Sequence, residues 1–470
     1  MNEFKNTYIN PIPLPDYPIG RKSILLDMDY SWRETADPTV IYEDGKWYLF
    51  SSCRSGYVSD DFITWTRKDM TPVDIGYAPT VVKHRGKYLL CGSLSDLYVC
   101  DEPLGEYKSL GKFRFENGEE IGKYYDPMLF SDDDGRLYIY YVVYDPEIGS
   151  TAINGCELDA DDPTRFTGEP VRIINYDPSH VWERTGEHNE DTSYSALEGP
   201  WMFKHDSTYY LIYCGPGTEY STYANGAYKS RSPLSGFEYM KTSPFTRKTS
   251  GVVRGPGHGS VVEGPNGTFW VFYTSTLCYA HPMERMIGYD RIEFDENGDI
   301  VCPEVTENPR FAPGSYDHTK SNGDTGLVSL CERRRPSASS EAQGRDALFA
   351  LTEDLTSWWQ PDDTDSDPYL TVPLPPHGAE VYAFRIIWTE VGLSLKHGNM
   401  PAPIGYKIYA SFKNEGYSLI FDNSAAPADF IVDYRVLDEA VHCDSVKIEI
   451  ASHADGIRPG IRNISFFGKA

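Results

Sequence analysis

The sequence lacks the features that would place the protein in a membrane, a secretory route or a metal-binding class. Its first residues, Met1-Asn-Glu-Phe-Lys-Asn-Thr-Tyr8, contain no apolar stretch typical of a secretory signal. No window approaches the ~20 consecutive apolar residues of a membrane span. The nine cysteines are odd in number and form no CxxC pair, a pattern that favours free thiols in a reducing compartment over disulfides or a zinc site. We therefore expect a cytoplasmic protein with no membrane partner.

Positive charge is also scarce. The chain has 43 Lys and Arg against 70 Asp and Glu, which gives a formal net charge of -27. A protein of this charge is repelled by phosphate backbones, so we expect no nucleic-acid partner. The acidic residues are scattered along the chain, which indicates a well-solvated surface.

Aromatic residues, glycine and proline are abundant. The 470 residues include 35 Tyr, 40 Gly and 33 Pro, and aromatics make up 14% of the chain. This composition is typical of many short strands joined by turns. The length predicts two or three domains with enough chain to bury a core.

Five segments share one pattern. A short apolar strand is followed, about eight residues after its start, by a turn residue (Gly in four segments, Ser in one) and then by an aromatic-rich strand, which predicts a hairpin. The segments begin Asp37-Pro-Thr-Val, Ala78-Pro-Thr-Val, Asp126-Pro-Met-Leu, Gly199-Pro-Trp-Met and Gly259-Ser-Val-Val. The intervals between these starts suit four-stranded blades with inserted loops, and five such blades close radially into a β-propeller.

The repeated pattern stops near residue 315. We expect a five-bladed propeller over residues 1–315 and a linker rich in Ser, Gly and charge over 316–345. Residues 346–470 contain further strand-like runs and have the size of one β-sandwich. The predicted fold is therefore all-β, a propeller followed by a jelly-roll sandwich.

Carboxylates recur at the start of the repeats. Asp37 and Asp126 share one position of the pattern and Glu198 lies one residue before it. Equivalent positions of a propeller converge on its axis, where His258 of the fifth repeat should join them. Glycoside hydrolysis needs one carboxylic acid and one carboxylate, and crowded like charges raise the pKa of one of them. The alternative is that each Asp-Pro merely caps a strand entrance.

These motifs resemble glycoside hydrolase family 43. The similar segments are Ala36-Asp37-Pro-Thr, Tyr125-Asp126-Pro, Leu197-Glu198-Gly-Pro, Ser232-Pro-Leu-Ser-Gly236 and Gly257-His258-Gly-Ser, and the resemblance covers about residues 10 to 310. It implies a five-bladed propeller that cleaves with inversion, with Asp37 as general base and Glu198 as general acid. Asp126 would orient Glu198 and sustain its pKa. Inversion requires the two carboxyl groups to lie roughly 6.5–9.5 Å apart.

The resemblance also implies supporting residues. His258 would lie near the channel centre, and the alternative is that it caps a turn. Arg285 would reach toward the sugar and the acid, and the alternative is a surface salt bridge. Tyr77 and Trp32 would line the pocket, or simply fill its wall. No calcium loop or Cys/His metal cluster is visible in the sequence. We expect no required cofactor, and the resemblance allows a structural Ca²⁺ in the channel near His258.

The C-terminal part resembles a discoidin-type (F5/8 type C) domain. The similar segments are Trp358-Trp359-Gln-Pro, Phe384-Arg-Ile-Ile-Trp388, Tyr406-Lys-Ile-Tyr-Ala-Ser and Ile464-Ser-Phe-Phe-Gly468. Such a resemblance implies a carbohydrate-binding module. The alternative is that the tryptophans are core residues and the domain only supports the propeller.

The predicted function is an inverting exo-glycosidase that removes terminal pentoses from plant-type oligosaccharides, as a β-xylosidase and/or an α-L-arabinofuranosidase. The exo preference rests on the predicted location and on the insertion 159–197, which would block one end of a cleft. A galactofuranosidase or galactosidase, a glycosyl transferase and a non-catalytic carbohydrate-binding propeller are the alternatives. An oligosaccharide is the expected partner, and the sequence does not indicate an oligomeric state.

Overall fold

The computed structural model describes residues 2–19, 31–73, 75–277, 281, 283–317 and 322–469. Within these ranges the chain is all-β and contains no α-helix, which confirms the predicted fold class. Its helical turns are four short 3-10 segments: Ser52–Arg54, Val181–Glu183, Pro265–Gly267 and Ala347–Leu351. Among the residues described, no helix has the length and apolar character needed to cross a membrane.

Five four-stranded antiparallel sheets form the N-terminal unit, and each sheet consists of four consecutive strands. After β1 (Thr7–Tyr8), the first two sheets contain β2 (Thr39–Glu43), β3 (Lys46–Ser51), β4 (Ser55–Ser59), β5 (Thr66–Arg67), β6 (Thr80–His84), β7 (Lys87–Cys91), β8 (Leu97–Cys100) and β9 (Lys108–Gly111). The third and fourth contain β10 (Tyr125–Ser131), β11 (Leu137–Asp145), β12 (Ser150–Leu158), β13 (Val171–Asn175), β14 (Glu198–His205), β15 (Thr208–Gly215), β16 (Ala224–Ser230) and β17 (Glu238–Tyr239). The fifth contains β18 (Gly257–Glu263), β19 (Phe269–Thr276), β20 (Arg285–Phe294) and β21 (Ile300–Val301).

The first strands of the five sheets form a closed ring. Contacts run from β2 to β6, β10, β14 and β18, and β18 returns to β2. This arrangement confirms the five-bladed β-propeller, with the blade starts around a central channel. In the described ranges every blade consists of four consecutive strands, so side chains close the seam between the first and last blades. Phe62 lies there against Phe272 and Tyr289, with ring centroids 5.3 and 4.8 Å apart.

The C-terminal unit is a β-sandwich, as predicted. After β22 (Arg310–Phe311), which pairs with β1, its strands are β23 (Val328–Ser329), β24 (Ser337–Ala338), β25 (Tyr369–Pro373), β26 (Ala379–Val391), β27 (Gly405–Ser411), β28 (Ser418–Asp422), β29 (Val432–Cys443), β30 (Ser445–Ser452) and β31 (Arg458–Lys469). One sheet has the order β23-β31-β26-β29 and the other β24-β25-β30-β27-β28. Two of these strands, β23 and β24, fall within the predicted linker 316–345; the domain boundaries stay predictions.

The sandwich packs directly on the propeller seam. Ile387 and Ile431 of the sandwich belong to the same buried cluster as Tyr289 of the fifth blade. Beside this cluster, the buried Arg33 guanidinium is paired with the carboxylates of Glu390 and Asp429. Because apolar burial and ion pairs both hold it, the sandwich is fixed against the segment that leads to Asp37.

Candidate active site

The first strand of every blade begins with the same backbone irregularity. One residue at this point has a left-handed φ: Asp37 (53°), Ala78 (54°), Asp126 (46°), Gly199 (55°) and His258 (48°). In the last three blades the hydrogen-bond ladder shifts register at this residue, which marks a β-bulge. A bulge re-aims a side chain, and its backbone strain is typical of functional positions. We call these five positions the bulge ring.

The bulge ring corrects the predicted start of the fifth repeat. The pattern places its start at Gly259, but the structure makes His258 the equivalent of Asp37 and Asp126. Glycines stand on both sides of His258, so apolar patterning alone could not fix the position of the extra residue. His258 is therefore a member of the ring rather than a neighbour of it.

Hydroxyl groups hold the bulge ring across blade boundaries. In three cases the ring residue's backbone N–H donates to a hydroxyl near the end of the second strand of the preceding blade. The bonds are Asp37 N to Thr274 Oγ1 (2.7 Å), Ala78 N to Ser52 Oγ (3.0 Å) and Asp126 N to Ser93 Oγ (2.9 Å). Each bond satisfies a backbone donor outside the strand ladder and fixes one blade against the next.

Asp37 is a buried carboxylate surrounded by donors. Arg285 donates to both of its oxygens, at 2.8 Å to Oδ1 and 3.0 Å to Oδ2. Ser52 Oγ donates to Oδ2, and His258 Nδ1 lies 3.3 Å from Oδ1. Burial pushes the pKa of Asp37 upward, but the Arg285 and His258 charges and the Ser52 hydrogen bond outweigh it and lower the pKa below its ordinary value. Asp37 is therefore ionised at neutral pH.

A second buried carboxylate, Glu34, shares Arg285 with Asp37. Arg285 Nη2 donates to Glu34 Oε1 at 2.6 Å, and Trp32 Nε1 donates to Oε2 at 3.1 Å. The Trp32 indole stacks on His281 at 3.7 Å and is 4% exposed. The Trp32 ring is thus covered and its N–H holds Glu34, and its place in the pocket wall stays a prediction. Burial raises the pKa of Glu34 although the Arg285 charge opposes it.

Asp126 lies between His258 and the fourth blade. Its Oδ2 accepts from the Gly199 backbone N–H at 3.2 Å, and its Oδ1 accepts from Ser93 Oγ at 3.2 Å. His258 Nδ1 is 3.9 Å from Oδ2. Burial and the Asp37 charge raise the pKa of Asp126, although His258 opposes them. Since Gly199 directly follows Glu198, Asp126 holds the backbone that carries Glu198.

Glu198 has an environment opposite to that of Asp37. Burial, followed by the charge of Asp126, raises the pKa of Glu198 to about 8, although a hydrogen bond from Tyr223 lowers it in part. Tyr223 Oη donates to Glu198 Oε1 at 2.6 Å. At neutral pH Glu198 is protonated while Asp37 is ionised. Two carboxyl groups whose pKa values are pushed apart are suited to serve as an acid and a base.

The remaining predicted residues surround this pair. Arg285 is 4% exposed and bound to two buried carboxylates, so it is not a surface salt bridge. Its guanidinium lies 5.7 Å from the centroid of the half-buried Tyr77 ring. His258 contacts two carboxylates, which a turn cap would not require.

Among the described residues, one group of potential metal ligands includes His258, and its donors do not suit calcium. The group whose ligand atoms lie within 4.8 Å of one another consists of Glu198, Cys214 and His258. Calcium prefers six to eight oxygen ligands, whereas this group offers a thiol, an imidazole and one carboxylate. The oxygens of Asp37 are already occupied by Arg285. We therefore assign no step to a metal.

The insertion 159–197 contributes more than a loop at the channel mouth. It supplies β13, the fourth strand of the third blade, and the buried Trp182. Trp182 packs against Gly226, where an added Cβ would come within 2.3 Å of the indole. The insertion is thus anchored on the blade that carries Glu198.

Sequence reasoning missed the residues that hold the acids. These are Glu34, Ser52, Ser93, Cys214, Tyr223 and Thr274. One signal was available for two of them, since Ser52 and Ser93 each lie 15 residues after the ring position of their own blade. Glu34 and Tyr223 lie outside the repeated pattern, so no periodicity points to them.

Known proteins match the propeller part of the chain. A model of glycosyl hydrolases family 43 matches residues 33–300. A putative beta-xylosidase of Escherichia coli is 27% identical over 241 residues, which cover 44% of this chain and 41% of that protein. A xylosidase/arabinosidase of Thermoclostridium stercorarium is 27% identical over 328 residues, which cover 59% of this chain and 66% of that protein. The chain thus spans less than two thirds of each of these relatives.

A solved structure extends the similarity of fold to the second unit. A protein described as a glycoside hydrolase aligns with a TM-score of 0.51 at 18% identity. The alignment covers 92% of this chain and 97% of that one. At this identity the match concerns the fold, including the presence of both units.

Proposed function

The chain belongs to glycosyl hydrolase family 43, and from this premise we propose that it is an inverting exo-glycosidase acting on terminal pentose residues of plant-type oligosaccharides. The observation that carries the proposal is that the pKa values of the buried Asp37 and the half-buried Glu198 shift in opposite directions. The positive neighbours of Asp37 lower its pKa, whereas burial and the charge of Asp126 raise the pKa of Glu198 to about 8. This combination supplies a base and an acid at the same pH.

In the proposed reaction Asp37 accepts a proton from a water molecule as the water oxygen bonds to the anomeric carbon. Glu198 donates its proton to the glycosidic oxygen as the bond from that oxygen to the anomeric carbon breaks. Charge is conserved, because one carboxylate gains a proton and the other carboxyl loses one. Attack by water on the face opposite the leaving group inverts the anomeric configuration.

Asp126 affects both the pKa and the position of Glu198. Its charge adds to the effect of burial in raising the pKa of Glu198. Its carboxylate also accepts a hydrogen bond from the backbone N–H of Gly199, the residue after Glu198. Arg285 acts on the base, because its fork holds both oxygens of Asp37 while Glu34 fixes the guanidinium. Both are positioning roles that leave Asp37 and Glu198 facing the substrate.

The relatives support a pentose as the sugar. Two of them are named as a putative beta-xylosidase and a xylosidase/arabinosidase, so we propose β-xylosidase and/or α-L-arabinofuranosidase activity. A galactofuranosidase or galactosidase is the alternative within the same family. A non-catalytic sugar-binding propeller has no need for an acid and a base whose pKa values diverge.

We further propose that the C-terminal unit is a discoidin-like sandwich that supports the propeller rather than a polymer-binding module. Trp359 and Trp388 are buried in its core, and the Arg345 guanidinium covers Trp358 at 3.3 Å from the ring centroid. None of these three indoles offers an open face to a sugar.

The test is a panel of 4-nitrophenyl glycosides (β-xyloside, α-L-arabinofuranoside, galactofuranoside and galactoside). We expect turnover of a pentoside by the wild type and a drop in kcat of about 10²–10⁴ for Asp37→Ala. Asp133→Asn, at a carboxylate that is 86% exposed, is the matched control and should retain activity. Turnover that survives both Asp37→Ala and Glu198→Ala would overturn the site, and turnover of a hexoside alone would overturn the choice of sugar.

A further inference from the structure

Tyr223 is a buried residue that touches the proposed acid from outside the repeated pattern. It immediately precedes β16, and its hydroxyl donates to Glu198 Oε1 at 2.6 Å. The Cys214 thiol lies 3.0 Å from the same hydroxyl. Cys214 is on β15, directly opposite Glu198 in the ladder. The three side chains therefore form a hydrogen-bonded chain that ends on one oxygen of the acid.

A neutral carboxyl group has one oxygen that carries the proton and one that only accepts. The carbonyl oxygen is the better acceptor, so the Tyr223 hydroxyl bonded to Oε1 favours the proton on the other oxygen. Building on the proposed function, we propose that Tyr223 is a positioning residue that keeps the acidic proton of Glu198 on Oε2, available to the leaving oxygen. Asp37, Ala78 and Asp126 of the bulge ring are held by Ser or Thr hydroxyls, so the tyrosine that contacts the acid has no counterpart in those bonds.

The direction of donation follows from the surroundings. Burial raises the pKa of the Tyr223 phenol well above its ordinary value and does the same for the Cys214 thiol. Both groups stay protonated. The Tyr223 hydroxyl donates to Glu198 Oε1, and the Cys214 S–H, beside the Tyr223 oxygen, donates to the Glu198 backbone carbonyl at 3.2 Å. The arrangement has one donor for each acceptor and leaves Glu198 Oε2 without a partner in this chain of bonds.

The same hydrogen bond also stabilises the Glu198 carboxylate that remains after proton transfer. Once Glu198 has given up its proton it is a carboxylate, and hydrogen bonds to ionised groups are shorter and about twice as strong as those between neutral groups. The Tyr223 bond therefore strengthens as the leaving group departs. An interaction that is stronger in the transition state than in the ground state raises kcat.

Glycines beside the bulge ring make room for this chain. A Cβ on Gly257 would lie 2.4 Å from the Tyr223 ring, and a Cβ on Gly199 would lie 2.9 Å from Cys214 Sγ. Real Cβ atoms do not approach so closely. Gly257 and Gly199 therefore leave the space that Tyr223 and Cys214 occupy.

The inference is tested with Tyr223→Phe and two substrates that share one sugar. A 4-nitrophenyl pentoside has a good leaving group and needs little acid assistance, whereas the corresponding methyl pentoside has a poor one and depends on it. We expect kcat on the methyl pentoside to fall about 10- to 100-fold, as for the loss of a hydrogen bond to a charged group, while kcat on the nitrophenyl pentoside changes by less than about threefold. The basic limb of the kcat/KM profile should move to higher pH, because Tyr223 lowers the pKa of Glu198.

Tyr213→Phe is the matched control. Tyr213 is a neighbouring buried tyrosine whose hydroxyl donates at 2.6 Å to another buried carboxyl, that of Glu183. We expect Tyr213→Phe to lower stability but to change kcat on the two substrates by the same factor. Equal losses on both substrates for Tyr223→Phe would overturn the inference and leave the proposed function standing, whereas no turnover of either substrate by the wild type would overturn both.

Cys214→Ala covers the case in which Tyr223→Phe does not fold. It removes the thiol beside the Tyr223 hydroxyl and its hydrogen bond to the Glu198 backbone carbonyl but keeps the Tyr223–Glu198 bond, so we expect the same preference for the nitrophenyl pentoside at a smaller size. Loss of activity that is equal for both substrates in this variant also overturns the inference.

Discussion

Arg285 connects two buried carboxylates with different tasks. It donates to Glu34 and to both oxygens of Asp37, and a planar guanidinium with a fixed fork can make these bonds together. A lysine would place one point charge between the two groups and could not hold both. The ionisation of the base thus depends on an arginine that lies 248 residues further along the chain, in the last blade.

Arg285→Lys should weaken the base without removing it. We expect kcat to fall and the acid limb of the kcat/KM profile to move to higher pH, because Asp37 loses donors that lower its pKa. The measurement is the pH profile on a nitrophenyl pentoside. An unchanged acid limb would contradict the role assigned to Arg285.

The pH dependence of the wild type follows from the same two groups. Activity needs Asp37 ionised and Glu198 protonated, so kcat/KM should fall at a pH below the ordinary pKa of an aspartate and again above about 8, the pKa of Glu198. Glu198→Gln should remove the basic limb, since an amide does not titrate. A basic limb that persists in Glu198→Gln would assign it to another group.

At the scale of the element, the β-bulge is what turns a repeat into a site. The hairpins and their turns were predictable, because apolar alternation, Gly turns and Asp-Pro starts are visible in the sequence. The bulge was not, because it adds a residue without changing composition, and this is why the fifth repeat was placed at Gly259 instead of His258. Tertiary partners such as Glu34 and Tyr223 lie outside the pattern and could be found only once the blades were assembled.

Gly199 shows what the bulge demands of its residue. Its φ is 55°, and an added Cβ would lie 2.9 Å from both Cys214 Sγ and His258 Cγ. Gly199→Ala should cost about 1–2 kcal/mol from the left-handed backbone alone, with more from the clash. The measurement is the free energy of unfolding in denaturant, together with kcat, which should fall because Glu198 is the adjacent residue.

Gly135→Ala is the control for Gly199→Ala. Gly135 also has a positive φ, 84°, but it lies in an exposed turn where an added Cβ meets nothing within 4 Å. Its backbone strain should lower stability without lowering kcat. An equal loss of kcat in both variants would show that the Gly199 effect is not local to the acid.

At the scale of the whole molecule, the sandwich and the propeller share one buried seam. Arg33, one residue from Glu34, is clamped by Glu390 and Asp429 of the sandwich. Burial raises the pKa of Glu390 to about 7 although the Arg33 charge opposes it. The sandwich is thus coupled by position to the segment that carries Glu34 and Asp37.

Arg33→Met should unfold the two units together at a lower temperature. It leaves two buried carboxyl groups without their cation, which costs about 3–5 kcal/mol. Because Glu390 can then stay buried only in protonated form, the loss should grow as pH rises. Calorimetry should show one transition at a reduced Tm, and two separate transitions would contradict the coupling.

Arg458→Met is the matched control for Arg33→Met. Arg458 pairs with Asp363 on the sandwich surface, where the two side chains are 46% and 61% exposed. Exposed pairs contribute about 0–1 kcal/mol, so Tm should change little.

The most direct test of the central claim, that Asp37 and Glu198 act as base and acid on a single displacement, is the stereochemistry of the product. Proton NMR of the anomeric region, recorded in the first minutes of hydrolysis of a β-xyloside or an α-L-arabinofuranoside, identifies the anomer that is released. The two-carboxylate site predicts that the sugar appears first with the opposite anomeric configuration and then mutarotates. A product that appears first with the configuration of the substrate would contradict the account, because it would require a covalent nucleophile in place of a water-activating base.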